Sequence, residues 1–193
     1  VFSNKIDSNR VNQYKLLTLS AYYPHKNLEI IASVIKVLIK RKINQFRFIV
    51  TLPSEKFKLL FGDLPDNFIT NIGPIPVKEC PSLYKECDAM FLPTLLECFS
   101  ASYAEAMLMK KPIITSDLGF AQNVCKDAAV YFDPCNPEGI IDKMITVYED
   151  EDLQKKMINN GVEIVKKINS AKQRASSILE ICKKLIKYNY QGD

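Results

Sequence analysis

Short apolar segments alternate along this chain with longer segments in which apolar residues recur every three or four positions. The short segments are typical of buried strands, and the longer ones of helices that pack on a sheet. Strands are predicted at residues 16–20, 46–51, 68–72, 89–92, 112–115 and 129–132. Helices are predicted to begin near Asn27, Ser54, Lys78, Ser100 and Leu118. This alternation predicts an α/β fold, a Rossmann-like, doubly wound and mostly parallel sheet of about six strands.

Polar residues mark where several of the predicted helices begin. Asn27 is a residue type that caps helices, and apolar residues follow it at helical spacing. Asn136 is followed by Pro137, which suits a cap and the first helical position. Asp150 is predicted to start another helix, and the last helix is predicted to cover residues 175–188. The carboxyl-terminal part, from about residue 150, is therefore predicted to be helical.

The length and composition are sufficient for one domain with a real core. The chain has 193 residues, of which 47% are hydrophobic and 25% are charged. Residues 1–14 are polar and aperiodic, and they predict a linker or domain edge before a domain at 15–193. The net charge of +4 is mild, and no basic run alternates with aromatic residues, which argues against nucleic-acid binding. No apolar run approaches the ~20 residues that a membrane span requires.

The cysteines and the single histidine limit the chemistry that the chain could perform. The six cysteines have no spacing typical of metal ligands, and His25 is the only histidine, so we expect no metal site. A mechanism that needs two imidazoles is excluded. Free thiols are typical of a reducing compartment. We therefore expect a cytoplasmic protein, and we leave peripheral membrane contact open.

The loops after three of the predicted strands carry the candidate site. In doubly wound sheets, ligands bind outside the carboxyl ends of the strands, near the point where strand order reverses. The loops after the first, third and fourth predicted strands contain Lys26, Ile75 and Glu97, respectively. These three residues are therefore predicted to lie around one crevice.

Residues 93–107 combine a loop, a helix start near Ser100 and two acids, Glu97 and Glu105. The free amides and the positive dipole end of a helix start suit an anion such as a phosphate. Acids on either side would repel a lone phosphate, but they could accept hydrogen bonds from sugar hydroxyls next to a diphosphate. On these residues alone, a helix cap and an ordinary helical acid explain the pair equally well.

The same stretch resembles a known motif. Glu97 and Glu105 have seven residues between them, Phe99 follows the first acid, and Ala106 and Met107 follow the second. This arrangement resembles the double-glutamate motif of family 4 glycosyltransferases (glycosyl transferases group 1). The flanking segments agree, and the resemblance extends from about Leu16 to Lys166. It implies the carboxyl-terminal, donor-binding half of a two-domain GT-B enzyme.

The resemblance implies a role for each candidate residue. Lys26 would bind the phosphates of a nucleotide-diphosphate sugar, Glu105 would bind the ribose, and Ile75 would line the base pocket. Glu97, the catalytic residue, would contact the transferred sugar and help to hold the charge that develops near it. The family likeness also implies transfer with retention of configuration and without a metal.

Some positions depart from the pattern of the family. Cys98, Phe99 and Ser100 would offer backbone amides to sugar and phosphate, but relatives usually have glycine at the positions of Cys98 and Ser100, where backbone approaches the ligand closely. Many relatives have an arginine where this chain has Ala21. The donor-binding half is therefore predicted to lack one fixed positive charge.

The sequence thus predicts the donor half of a glycosyltransferase of glycan or polysaccharide biosynthesis. Its donor substrate would be a UDP-sugar or a GDP-sugar, and no cofactor is expected. The acceptor, a saccharide or lipid-linked molecule, would bind to a missing N-terminal domain or to a partner chain, so this chain alone is predicted to be inactive.

Three points stay open at this stage. The chain could be the separate donor-binding subunit of a split glycosyltransferase. It could instead be a degenerate, non-catalytic interaction module, which the absent arginine and glycines would suit. The last helix has apolar and basic sides, and it could brace another domain, contact a membrane surface or pack on its own domain.

Overall fold

The computed structural model describes residues 2, 6, 13–98, 100–169 and 171–189. Within this part of the chain, six strands form one parallel sheet in the order β3-β2-β1-β4-β5-β6. The strands are β1 (Tyr14–Thr18), β2 (Phe46–Val50), β3 (Ile69–Asn71), β4 (Ala89–Leu92), β5 (Ile113–Ser116) and β6 (Ala129–Phe132). The predicted Rossmann-like, doubly wound sheet is confirmed.

Helices connect the strands and cover both faces of the sheet. They are α1 (Glu29–Lys40), α2 (Ser54–Phe61), α3 (Cys80–Lys85), α4 (Ala101–Leu108), α5 (Gly119–Cys125), α6 (Pro137–Glu149), α7 (Glu151–Val165) and α8 (Ala171–Asn189). Short 3₁₀ turns occupy Pro24–Lys26, Val77–Glu79 and Lys126–Ala128. The helix predicted from residue 78 is thus a 3₁₀ turn that leads into α3.

The direction in which strands are added reverses between β1 and β4. Leu16 of β1 is paired with Phe48 of β2 on one side and with Ala89 of β4 on the other. The chain first adds β2 and β3 outward from β1, and it then crosses to β4 and adds β5 and β6. The loops that follow β1 and β4 therefore flank the point where parallel sheets of this kind bind ligands.

Alternate residues of the central strands supply two hydrophobic layers. Leu16, Phe48 and Phe91 belong to the layer covered by α1 and α6, whereas their neighbours Leu17 and Met90 belong to the layer under α3 and α4. The ring centroid of Phe91 lies 5.2 Å from those of Phe48 and Phe132. This packing fixes the carboxyl end of β4, and the loop that contains Glu97 begins there.

Two of the predicted helix starts are confirmed by their side-chain bonds. The Asn136 side chain accepts a hydrogen bond from the Gly139 amide at 3.1 Å. The Asp150 side chain accepts one from the Leu153 amide at 2.8 Å. Both satisfy amides that have no partner inside the first turn of a helix.

The prediction that Asn27 caps a helix was wrong. Asn27 has a left-handed backbone, with φ of 53°, and Leu28 occupies the cap position of α1. Its side-chain amide instead donates to the carbonyls of Pro93 at 3.2 Å and Pro134 at 3.0 Å. Asparagine tolerates this conformation better than most residues, so it ends the 3₁₀ turn and joins the loop after β1 to the loop after β4.

Residues 1–14 were predicted to be a linker or domain edge, and those of them that the structure describes lie against the domain. Tyr14 is the first residue of β1. Phe2 and Ile6 are buried in the layer under α3 and α4, and the Phe2 amide donates to the Glu86 carboxylate at 3.1 Å. The described residues of this stretch therefore pack on the domain.

The last helix, α8, is exposed throughout residues 172–186. Its apolar residues are between 58% and 61% exposed, and they are Ile178, Leu179, Ile181, Leu185 and Ile186. None of them belongs to either hydrophobic layer. Among the described residues, no helix is long and apolar enough to span a membrane.

Because α8 buries so little surface, its removal is expected to leave the stability of the domain almost unchanged. A chain that ends at Asn169 is expected to melt within about 2 °C of the full chain. In a domain of this length, a change of about 1 kcal/mol in the free energy of unfolding shifts the melting temperature by about 2 °C or more, and the loss of α8 is expected to cost less than that. Differential scanning calorimetry measures this. A decrease of more than about 5 °C would show that α8 packs on the domain.

Candidate functional site

The loops after β1 and β4 are bonded to each other at the point where strand order reverses. The His25 carbonyl accepts hydrogen bonds from the Leu95 amide at 2.7 Å and from the Thr94 hydroxyl at 3.0 Å. The Asn27 side chain, as described above, donates to Pro93 at the start of the second loop. These hydrogen bonds fix the position of the loop after β1 relative to the loop after β4.

Lys26 and Glu97, one from each of these loops, form an ion pair. The Lys26 ammonium donates to Oε1 of Glu97. The two side chains are 17% and 11% exposed, respectively, so water screens the pair less than it screens a surface pair. The sequence placed both residues at one crevice, and the structure brings them into direct contact.

A cleft of about 470 Å³ opens at the same edge of the sheet and is lined by two of the other candidate residues. Its volume is in the range of small-molecule sites. It is lined by Leu19, Ser20, Ala21, Thr51, Pro53, Pro74, Ile75, Cys80, Ser102 and Glu105. The loops after β1, β2 and β3 thus meet the first turns of α4 here, and Ile75 and Glu105 share one space.

Lys26 and Glu97 do not line this cleft. Ala21 lines it from the loop that contains Lys26, and Ser102 lines it from the helix that follows Glu97. The ion pair and the cleft are therefore connected through these two segments, at the edge of the sheet where strands β1 and β4 end.

The residues between Glu97 and α4 connect the ion pair to the helix. Cys98 is exposed, whereas Ser100 is buried and occupies the cap position of α4. The side chain of Ser100 makes no capping hydrogen bond, but the helix start predicted near this residue is present. Phe99 lies outside the described residues.

Glu105 is held by a residue that the sequence analysis did not single out. The Tyr84 hydroxyl donates to Oε2 of Glu105 at 3.2 Å, and Tyr84 is only 1% exposed. Burial, and then the charge of Glu105, raise the pKa of Tyr84 well above its ordinary value, so the hydroxyl keeps its proton. The hydroxyl of a buried tyrosine usually needs a hydrogen-bond partner. This requirement was the feature of the sequence that could have identified Tyr84 as a partner of a site residue.

The absence of an arginine at Ala21 leaves the loop after β1 with few charges. Lys56, in the first turn of α2, lies with its ammonium 4.8 Å from the ring centroid of Tyr22, the residue after Ala21. The Tyr22 hydroxyl in turn donates to Glu29 at 2.7 Å. A second cation therefore lies close to this loop, although it comes from a different element.

The arrangement is suited to a ligand with an anionic part and a part rich in hydroxyls. A cation and the amino-terminal end of α4 lie at the same edge of the sheet as the cleft, and a carboxylate lines the cleft. Within the described residues, no group of three or more histidine, cysteine, aspartate or glutamate side chains could hold a metal ion.

These observations define a doubly wound α/β domain with a cleft at the carboxyl ends of its strands. Residues 2–164 match the sequence model of the family "Glycosyl transferases group 1". The chain belongs to this family. The resemblance seen in the double-glutamate motif is thereby confirmed.

Individual relatives agree with this assignment. An uncharacterised glycosyltransferase of Methanocaldococcus jannaschii is 24% identical over 158 residues, which cover 79% of this chain and 43% of the relative. The structure resembles a glycosyltransferase from Rickettsia africae with a TM-score of 0.78 and 21% identity, over 95% of this chain and 51% of that one.

A further similar structure is a mutant of S. aureus TarM in complex with Fondaparinux, α-GlcNAc-glycerol and UDP. Its TM-score is 0.72, with 17% identity over 89% of this chain and 35% of that one. The chain spans about half or less of the length of each of these three proteins. At these identities the structural likeness shows the fold alone.

Proposed function

We propose that this chain is the donor-binding half of a glycosyltransferase and that its cleft binds a nucleotide-diphosphate sugar. The observation that carries the proposal is that one sheet edge, in a member of the group 1 family, combines the Lys26–Glu97 ion pair with a cleft that contains Glu105. UDP in the similar TarM structure supports the class of ligand.

The parts of the donor would be distributed along this edge. The base would lie against Ile75 and Pro74, and the ribose hydroxyls would donate to Glu105. The diphosphate would lie toward the edge of the cleft, where Lys26 and the free amides at the start of α4 suit an anion. Glu97 would then be released from Lys26 and could accept hydrogen bonds from the sugar.

The reaction would proceed without a metal and with retention of configuration. Lys26 and the amino-terminal end of α4 would stabilise the leaving diphosphate, since fixed positive groups near a developing negative charge lower the activation barrier of the transfer. The parallel sheet and its helices would form the donor domain, and a further domain or partner chain would bind the acceptor. Transfer by these 193 residues alone is therefore not expected.

Isothermal titration calorimetry with UDP and GDP tests the proposal directly. We expect one of the two nucleotides to bind, and we expect Glu105→Ala to weaken that binding by about tenfold or more, because a charge-assisted bond to the ribose is lost. Glu163→Ala is a matched control, since this acid lies on α7 and pairs with Lys166 at the surface.

Two outcomes of the titrations with UDP and GDP would contradict the proposal. A folded chain that binds neither nucleotide, as judged by an unchanged melting temperature with both, would instead favour a non-catalytic interaction module. Binding that Glu105→Ala leaves unchanged would show that the nucleotide lies in a different place.

A further inference from the structure

We propose that Tyr84 is a positioning residue that orients the Glu105 carboxylate and thereby makes the site selective for ribonucleotides over deoxyribonucleotides. This inference rests on the proposed function, because it requires that Glu105 face the ribose. It adds a residue from α3 to the site: Tyr84 does not line the cleft of about 470 Å³, but it shares a separate cavity of about 170 Å³ with Glu105.

The geometry around the Tyr84 hydroxyl supports this role. The hydroxyl is 3.2 Å from Oε2 of Glu105, 3.4 Å from the Ser102 carbonyl and 3.9 Å from the Met90 sulfur. Of these acceptors, the carboxylate is charged and the nearest, so it takes the proton of the hydroxyl most strongly. The ring of Tyr84 is fixed by burial in the layer under α3 and α4.

One oxygen of Glu105 is therefore bound by Tyr84, and the other can accept a hydrogen bond from a ligand. Among the bonds of the described residues, Oε2 accepts from Tyr84, and no hydrogen bond is formed by Oε1. A carboxylate held by one oxygen presents the lone pairs of the other in a fixed direction, which suits the vicinal hydroxyls of a ribose. Without the Tyr84 hydroxyl, the carboxylate can rotate, and this direction is no longer fixed.

The charge of Glu105 acts on a second residue that lines the cleft. Cys80 also lines the cleft, and its thiol pKa is raised first by burial and then by the negative charge of Glu105. The carboxylate therefore lies between the buried hydroxyl of Tyr84 and the cleft, and no cation pairs with it among the described residues.

The experiment compares the affinity of the chain for UDP and for 2′-deoxyuridine diphosphate, measured by calorimetry. Tyr84→Phe removes the hydroxyl and keeps the ring. Tyr103→Phe is the matched control, because Tyr103 is equally buried and its hydroxyl bonds to Thr115 at 2.9 Å, away from Glu105. The two variants lose the same group at comparable burial.

The unmodified chain is expected to prefer UDP to the deoxynucleotide by about tenfold, and Tyr84→Phe is expected to reduce this preference by about fivefold or more. Tyr103→Phe is expected to retain it. In a Glu105→Gln background, the effect of Tyr84→Phe on the preference is expected to disappear, because the two groups then no longer act together.

Two different failures can be told apart. If the unmodified chain binds UDP with a ribose preference that Tyr84→Phe leaves intact, the role of Tyr84 is wrong and the proposed function stands. If the unmodified chain binds neither nucleotide, or binds both equally, the placement of the ribose at Glu105 is wrong, and the inference about Tyr84 is wrong with it. Equal losses in the two phenylalanine variants would show an effect on stability alone.

Discussion

Replacing Lys26 with methionine is expected to lower the affinity for UDP by about 100-fold. Two effects act in the same direction. The diphosphate loses its charge-assisted contact with the ammonium, and Glu97 is left as an unpaired negative charge beside the place where the phosphates bind. Methionine preserves most of the length and apolar character of the lysine stem, so the fold is expected to remain intact.

Calorimetry with UDP measures this effect, and Lys166→Met provides the control. Lys166 also forms an ion pair, with Glu163, but both side chains are 63% exposed and lie on or beside α7. The control variant is expected to bind UDP as the unmodified chain does. A Lys26→Met variant that also binds UDP normally would exclude Lys26 from the phosphate site.

Replacing Glu97 with glutamine is expected to have the opposite effect and to raise the affinity for UDP by about tenfold. Lys26 is paired with Glu97 in the structure, so the diphosphate must compete with Glu97 for the ammonium. The amide of glutamine carries no charge and competes less. UDP carries no sugar, so the role proposed for Glu97 toward the sugar does not enter this measurement.

The matched control is Glu163→Gln, which removes the acid from the exposed pair on α7. It is expected to leave the affinity for UDP unchanged. Weaker binding of UDP by Glu97→Gln than by the unmodified chain would mean that Glu97 supports the nucleotide directly, and that the ion pair does not restrain Lys26.

The strands and the general place of the site were predictable because both follow from local patterns. The strands at 89–92 and 129–132 have the predicted bounds, and the helix at 54–61 begins at the predicted residue, since short apolar runs and sharp polar breaks define them. The loops with Lys26 and Glu97 were expected at one crevice because parallel strands place their carboxyl ends at one edge.

The details that sequence reasoning missed depend on contacts between distant parts of the chain. Asn27 bonds to Pro93 and Pro134, which lie in other loops, and so it does not cap α1. The bond from Tyr84 to Glu105 joins two helices that are separated by β4. Phe2 and Ile6 looked like isolated apolar residues in a polar stretch, and their burial depends on a surface that only the folded domain provides.

The direct pairing of Lys26 with Glu97 was not predictable for a related reason. The sequence analysis assigned each residue to a separate part of the donor. The spacing of residues along two loops does not indicate that their side chains contact each other, as they do in the structure. The pairing follows from the bonds at His25, which draw the two loops together.

A crystal structure of this chain with UDP tests the central claim most directly. The account predicts that the diphosphate lies between the Lys26 ammonium and the start of α4, that the ribose hydroxyls donate to Glu105, and that Lys26 has left Glu97. A structure in which UDP lies away from Glu105, with the Lys26–Glu97 ion pair intact, would contradict it.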